Sequence, residues 1–211
     1  MTLLLGKENS KHVDKFWEQD PLIWDTVNNV GLRANYIASV YAARLMVKRG
    51  SGIIVNMSSP GGLTYLFNTA YGVGKAAQDR MAADFNHELK GTGVHALSIW
   101  PGAVKTELIQ EHVLDGAEPT TVAQKKAKQV FSNAQTTDWV GRTVAKLLDD
   151  PDIASKDGRV IWCHDVSVIL RNITTMLFRL PMRTALLITT AALYPQFESK
   201  LMILVLFVIK L

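Results

Sequence analysis

Tyr71 and Lys75 stand four residues apart, about a dozen residues beyond a serine pair, Ser58-Ser59. If Tyr71 opens a helix, its side chain and that of Lys75 share one face a turn apart. A phenol ionises near pKa ~10, and each unit of lowering by a neighbouring cation stabilises the phenolate by about 1.4 kcal/mol. A phenol tuned in that way gives a proton to a carbonyl oxygen, or takes one from an alcohol, at working pH. A hydroxyl from Ser58-Ser59 could hold the reacting oxygen in place. Spacing alone allows a blander reading, a half-buried helix start with a solvated lysine. Context favours chemistry: of the five tyrosines, only Tyr71 has a Lys four residues on.

The elements that must position these groups are readable. Ile53-Ile54-Val55-Asn56-Met57, directly before the serines, has the shortness and β-branched richness of a buried strand. Ile23 to Lys48 carries Trp24, Val27, Val30, Tyr36, Ile37, Val40, Tyr41 and Leu45 at helical spacing and predicts one long amphipathic helix, stopped by Gly50 to Gly52. Tyr71 to Lys90 predicts a second, with Val73, Ala77, Met81, Phe85 and Leu89 as its stripe and Gly91 and Gly93 at its end. Val94 to Trp100 and Gly158 to Cys163 are further strand candidates, and Thr137 is a candidate cap for a helix running to about Leu148. Between Lys105 and Asn133 the pattern loosens into an irregular helical excursion. Strand alternating with helix argues for a parallel sheet, with ligands beyond the carboxyl ends of its strands. On their own, Asn28 is a polar residue exposed mid-helix and Pro101-Gly102 a strand-ending turn.

Four motifs in this order, Asn28-Asn29-Val30-Gly31, Ser58-Ser59, Tyr71-Gly72-Val73-Gly74-Lys75 and Trp100-Pro101-Gly102, resemble the short-chain dehydrogenase/reductases over roughly Phe16 to Asp165. The resemblance implies a Rossmann-like α/β fold. It also implies a nicotinamide cofactor, NADP(H) ahead of NAD(H), and hydride exchange with a ketone, aldehyde or secondary alcohol. By resemblance, Tyr71 is the proton donor or acceptor, and Lys75 lowers its pKa and grips the nicotinamide ribose. Ser59, ahead of Ser58, orients the carbonyl. Asn28 faces Lys75 through a held water. Pro101, Gly102 and Val104 contact the nicotinamide, and Thr106 reaches the cofactor's phosphate or amide side. The segment after Lys105 sets substrate choice.

Composition fits one globular domain: 211 residues, 48% hydrophobic, 20% charged. A net charge of +4 without a dense Lys/Arg block argues against nucleic acid. The five histidines show no metal-ligand spacing, and no Gly-x-Ser-x-Gly elbow supports a hydrolase. A single cysteine, Cys163, rules out an intramolecular disulfide and fits a reducing compartment. The expected location is intracellular, either cytoplasmic or associated with the endoplasmic reticulum membrane. Met1 to Lys7 has too short an apolar run for a signal peptide.

Residues 1–170 are read as the catalytic part and 171–211 as a basic, apolar tail. Its blocks Ala185 to Tyr194 and Leu201 to Ile209 are shorter than the ~17 to 25 apolar residues of a spanning helix. The tail is therefore read either as lying on a membrane surface or as docked on the domain or on a partner subunit of a homo-oligomer. The sequence also departs from the family pattern, because it holds no Gly-x-x-x-Gly-x-Gly turn to receive a pyrophosphate. The expectation is a sheet truncated at the amino end to about three strands, with Ile53 to Met57 an uncovered edge. The alternative to an oxidoreductase is a catalytically inactive remnant acting through a partner or a membrane.

Overall fold

Short buried strands alternating with helices build a parallel sheet between two helical layers in the computed structural model, which describes residues 15–164 and the backbone of residues 203–206. In chain order the elements are α1 (Leu22–Asn28), a π turn (Asn29–Arg33), α2 (Ala34–Arg49), β1 (Gly52–Met57), α3 (Thr69–Glu88), β2 (Val94–Trp100), β3 (Val104–Lys105), α4 (Glu107–Ile109), a second π turn (Gln110–Leu114), α5 (Val122–Ser132), β4 (Gln135–Thr136), α6 (Thr137–Leu148), β5 (Val160–Trp162) and β6 (Ile203–Leu206).

The main sheet has the order β5-β2-β1-β6, all parallel. β1 is buried at every position, and its register with β2 runs from Gly52↔Val94 to Met57↔Ile99. Side chains alternate between faces of a strand. Ile53, Val55 and Met57, with Leu97 and Ile99 of β2, pack on Val140, Val144 and Leu147 of α6. Ile54, with Val94 and Ala96, meets Met46 of α2 and Leu89 just past α3. Both faces are therefore dry, which explains why these strands read as apolar runs rather than alternating ones.

The three expected strands are present as β1, β2 and β5, and the edge expected to be uncovered is paired by a fourth strand from the tail, β6. β6 lies on the free side of β1 in the register Ile53↔Ile203 to Asn56↔Leu206. An apolar edge with unpaired N–H and C=O groups takes up another strand readily. Four residues of the block Leu201 to Ile209, too short for a membrane span, are enough for that. The block Ala185 to Tyr194, residues Arg171, Arg179 and Arg183, and residues 1–14 lie outside the described residues. Among the described residues no helix is long and apolar enough to cross a membrane.

The helices form where expected, but two of them bury other faces. The stretch read as one helix from Ile23 to Lys48 carries a π turn at Asn29–Arg33. That turn adds a residue to the repeat and rotates everything after it. A stripe counted straight through Gly31 therefore lands partly in solvent: Tyr36, Tyr41 and Leu45 are exposed, while Asn35, Ser39 and Met46 are buried. In α3 the buried face is Ala70, Gly74, Gln78 and Ala82 rather than the larger Val73-to-Phe85 stripe, because small residues let this helix lie close to its neighbours. Gly50, with φ 73, closes α2 in the left-handed conformation that glycine adopts without strain.

Thr137 is the first residue of α6 rather than its cap. Thr136 takes that place, with its extended backbone paired to Lys105 and no capping hydrogen bond from its side chain. The excursion after Lys105 contains more order than expected, with α5 started by a capping box between Thr121 and Gln124.

Truncation after Lys200 removes β6 and is expected to speed amide hydrogen exchange along Ile53–Asn56 and to promote self-association through the bared edge. Exchange mass spectrometry and size-exclusion chromatography read both. Unchanged protection of β1 would show that β6 does not hold that edge.

Candidate active site

The sheet ladder runs one residue past β1, where the Ser58 N–H donates to the Ile99 carbonyl at 2.9 Å. The chain then turns away from the sheet, and the two serines part. Ser58 Oγ donates to the Lys75 carbonyl at 2.9 Å and so latches α3 to the end of β1. Ser59 is extended, its Oγ accepts from the Gly61 N–H at 3.0 Å, and the same Oγ lies 2.7 Å from the Tyr71 hydroxyl. Ser59 is therefore the serine that meets the phenol.

Tyr71 is fixed from several directions. Asn68, the N-cap of α3, accepts from the Tyr71 N–H at 2.9 Å. The Phe67 ring stands edge-on to the Tyr71 ring, 5.0 Å between centroids at 89°. Phe67 has φ 62, a left-handed backbone that for a bulky residue costs on the order of 1–3 kcal/mol. A Cβ on Gly61 would come 2.5 Å from the Tyr71 ring and 3.0 Å from Ser59 Oγ, so the serine and the phenol can meet only across a glycine.

Lys75 extends its ammonium to the Met57 carbonyl at 2.8 Å, and its Nζ sits 5.8 Å from the centre of the Tyr71 ring. Burial lowers the Lys75 pKa to about 8, and the Asp79 carboxylate opposes that fall. Burial also pushes the Tyr71 phenol above its ordinary value, with the Ser59 hydrogen bond opposing. Against the expectation that Lys75 draws the phenol down, the net direction is upward, because loss of water outweighs the Ser59 hydrogen bond. At neutral pH Tyr71 keeps its proton and Lys75 its charge, which is the state of an acid ready to donate.

Asn28 is buried rather than exposed mid-helix. Its Nδ2 donates to the Ala70 carbonyl at 3.2 Å, and a Cβ on Gly74 would overlap its Oδ1. It thus seats on α3 at the residues just before Tyr71 and just before Lys75. Because β1 and β2 are parallel, Pro101 and Gly102 leave the sheet at the same end as Ser59. Gly102 has φ 82, Val104 starts β3 beside Gln135, and Thr106 Oγ1 accepts from the Ile109 N–H at 3.3 Å to cap α4.

Lys75 Nζ spends one of its three donors on Met57. The Tyr71 and Ser59 hydroxyls face each other at the end of β1 with further lone pairs to offer. This donor set fits the ribose and amide end of a nicotinamide dinucleotide, while a Gly-rich turn for its pyrophosphate is absent from the sequence. Among the described residues no group of three or more His, Cys, Asp or Glu could hold a metal ion. Burial pushes the Cys163 thiol up to about 12, which marks a core residue and not a nucleophile.

Over residues 6–116 the sequence matches the short chain dehydrogenase family. The chain belongs to that family. It is 51% identical over 152 residues to human dehydrogenase/reductase SDR family member 1, which covers 72% of this chain and 49% of that protein. The chain thus spans about half the length of the curated relatives it matches. Among solved structures it is similar to ElxO with NADP bound, with a TM-score of 0.60 and 24% identity over 71% of this chain and 60% of that one. It is similar too to a 3-oxoacyl-[acyl-carrier protein] reductase with bound NAD from Brucella melitensis, with a TM-score of 0.55 and 23% identity over 72% and 56%. These likenesses support a Rossmann-like α/β fold.

Sequence reasoning missed Phe67, Asn68 and Gly61. Asn68 was within reach, since an Asn three residues before a predicted helical N–H is a cap signal. The contact of Gly61 with a ring ten residues on is visible only in three dimensions.

Lys75 supplies a stability test. Its pKa is depressed on folding, so the folded chain binds that proton less tightly than the unfolded one. Below about pH 8 both states carry the proton and the full penalty applies, and as pH rises from there toward the ordinary lysine value the penalty disappears. Lys75→Met is therefore expected to stabilise the chain at pH 7, by on the order of 3 kcal/mol at most, and to have less effect at pH 10. Denaturant unfolding at both pH values checks this, and an equal effect at the two would contradict it.

Proposed function

We propose that this chain carries the proton-transfer part of a nicotinamide-dependent oxidoreductase acting on a carbonyl or alcohol. The observation that carries the reading is the 2.7 Å approach of Ser59 Oγ to the Tyr71 hydroxyl, with Lys75 one turn further along the same helix. A ketone or aldehyde oxygen would sit between the two hydroxyls. Ser59 would orient it by donating a hydrogen bond, and Tyr71 would give it a proton as negative charge develops there. The Lys75 ammonium and the Ser59 hydroxyl would then stabilise the phenolate left behind. In the oxidising direction the same phenolate would accept the proton of an alcohol. Asn28, seated against the first turns of α3, would support the relay that restores the proton.

The cofactor, when bound, supplies or accepts the hydride. Tyr71, Lys75, Pro101, Gly102, Val104 and Thr106 would hold its nicotinamide and ribose end. We place NADP(H) ahead of NAD(H) on family resemblance. Because reduction needs the Tyr71 proton and the Lys75 charge together, its rate should fall as pH rises through about 8, where Lys75 becomes neutral.

Tyr71→Phe, made in a full-length form, should lower turnover at least ~10²-fold, the usual scale of a lost general acid, while cofactor binding measured by nicotinamide fluorescence stays largely intact, because Lys75, Pro101, Gly102, Val104 and Thr106 remain to hold it. Unchanged turnover would refute the assignment. A competing reading, an inactive piece acting through a partner or a membrane, draws on the absence of a Gly-rich turn and on the half-length match to relatives. Titrating the 211-residue chain with NADPH separates the two: saturable micromolar binding favours the oxidoreductase, and no binding favours the alternative.

A further inference from the structure

Asp79 lies one helical turn beyond Lys75 on α3, as Lys75 lies one turn beyond Tyr71. Its carboxylate is taken up by β2. Ser98 Oγ donates to Oδ1 at 2.6 Å, and Trp100 Nε1 donates at 3.2 Å to Oδ1 and 3.1 Å to Oδ2. Ser98 is fully buried. Trp100 ends β2, is itself buried, and stands edge-on to Trp162 of β5 at 5.2 Å. Pro101-Gly102 follows it directly. Among the described residues no Lys, Arg or His forms an ion pair with Asp79. Neutral donors thus hold this carboxylate in a half-buried place where salt screens it little.

We propose that Asp79 is a positioning residue of the Tyr71–Lys75 site. Pinned to the end of β2 through Ser98 and Trp100, its carboxylate keeps the Lys75 ammonium charged. It also ties the turn of α3 that bears Lys75 to the strand end from which Pro101-Gly102 departs. The proposal rests on the roles given above to Tyr71 and Lys75.

Among the described residues, the titratable groups that bear on Lys75 are few. From its own helix they are Tyr71, protonated at neutral pH, and Asp79. The neighbouring elements supply neutral groups: β1 the Met57 carbonyl, α1 the Asn28 amide, and β2 Ser98 and Trp100 by way of Asp79. Burial acts against the ammonium, and the Asp79 carboxylate is the charge that opposes it. A direct ion pair would occupy the Lys75 donors. Held a turn away by Ser98 and Trp100, the carboxylate contributes its field and leaves the Nζ hydrogens for Met57 and for a ligand.

The test is an NMR titration of Lys75 in the 211-residue chain, reductively methylated with carbon-13 and assigned by loss of its signal in Lys75→Arg. It needs neither cofactor nor substrate. The Lys75 midpoint is expected near 8 in the unaltered chain, and lower by about one pH unit in Asp79→Asn and Asp79→Ala, the scale of one lost opposite charge. Two neutral variants are used so that a folding failure in one leaves the other to decide. Asp79→Glu, which restores the charge, should bring the midpoint back. Asp84→Asn removes a carboxylate paired with exposed Arg80 on the same helix and should leave it unmoved. A midpoint unchanged in a folded neutral variant, or not recovered in Asp79→Glu, overturns the proposal. Unchanged turnover in Tyr71→Phe would overturn the function proposed above and leave this titration standing.

Discussion

The 2.7 Å hydrogen bond between Ser59 Oγ and the Tyr71 hydroxyl sets the geometry around which the rest of the chain is built. For it to form, β1 must end where the serines begin, α3 must start two residues before the tyrosine, and nothing larger than glycine can stand at position 61. Each condition has its own physical cause. β1 is fixed by apolar packing on both faces of a parallel sheet, α3 by its Asn68 cap, and the approach of the two hydroxyls by the missing Cβ of Gly61. Ser58 then locks the next turn of α3 onto the same strand end through the Lys75 carbonyl.

That geometry is held at some cost to stability. The site takes an amine and a phenol out of water, and in both groups desolvation is the largest influence. Phe67 sits in a left-handed backbone beside them. Such features destabilise a fold unless the surroundings over-determine them. The surroundings here are the dry faces of β1 and β2, the Ser58 latch and the anchoring of Asp79 on Ser98 and Trp100. Rigidity at the strand ends lets a half-buried ammonium persist one turn from a half-buried phenol.

Much of this was legible in the residues. The strand Ile53 to Met57, the serine turn, the Tyr71 helix and the strand Val94 to Trp100 could be read because apolar runs bounded by Gly, Ser and Pro carry their own boundaries. Family membership followed from four ordered motifs. What stayed hidden depended on phase or on distant contacts. The π turn at Asn29–Arg33 rotates α2, so a stripe of Tyr36, Tyr41 and Leu45 that looked like core is exposed, while Asn35 and Ser39 are buried. Pairing of β6 with β1 joins residues about 150 positions apart in sequence, and no local pattern distinguishes a strand from a short greasy block. The direction of the Tyr71 pKa also escaped sequence reasoning, because the lysine four residues on was visible and the burial was not.

The central claim is that Ser59 and Tyr71 share one hydrogen bond at a partly desolvated site, and ultraviolet titration of the phenol tests it most directly. Taken as the difference between the chain and its Tyr71→Phe variant, the absorbance step at 295 nm should appear above the ordinary tyrosine value of ~10. In Ser59→Ala it should move higher still, since that hydrogen bond favours the ionised form. A step at the ordinary value, indifferent to Ser59, would contradict the account.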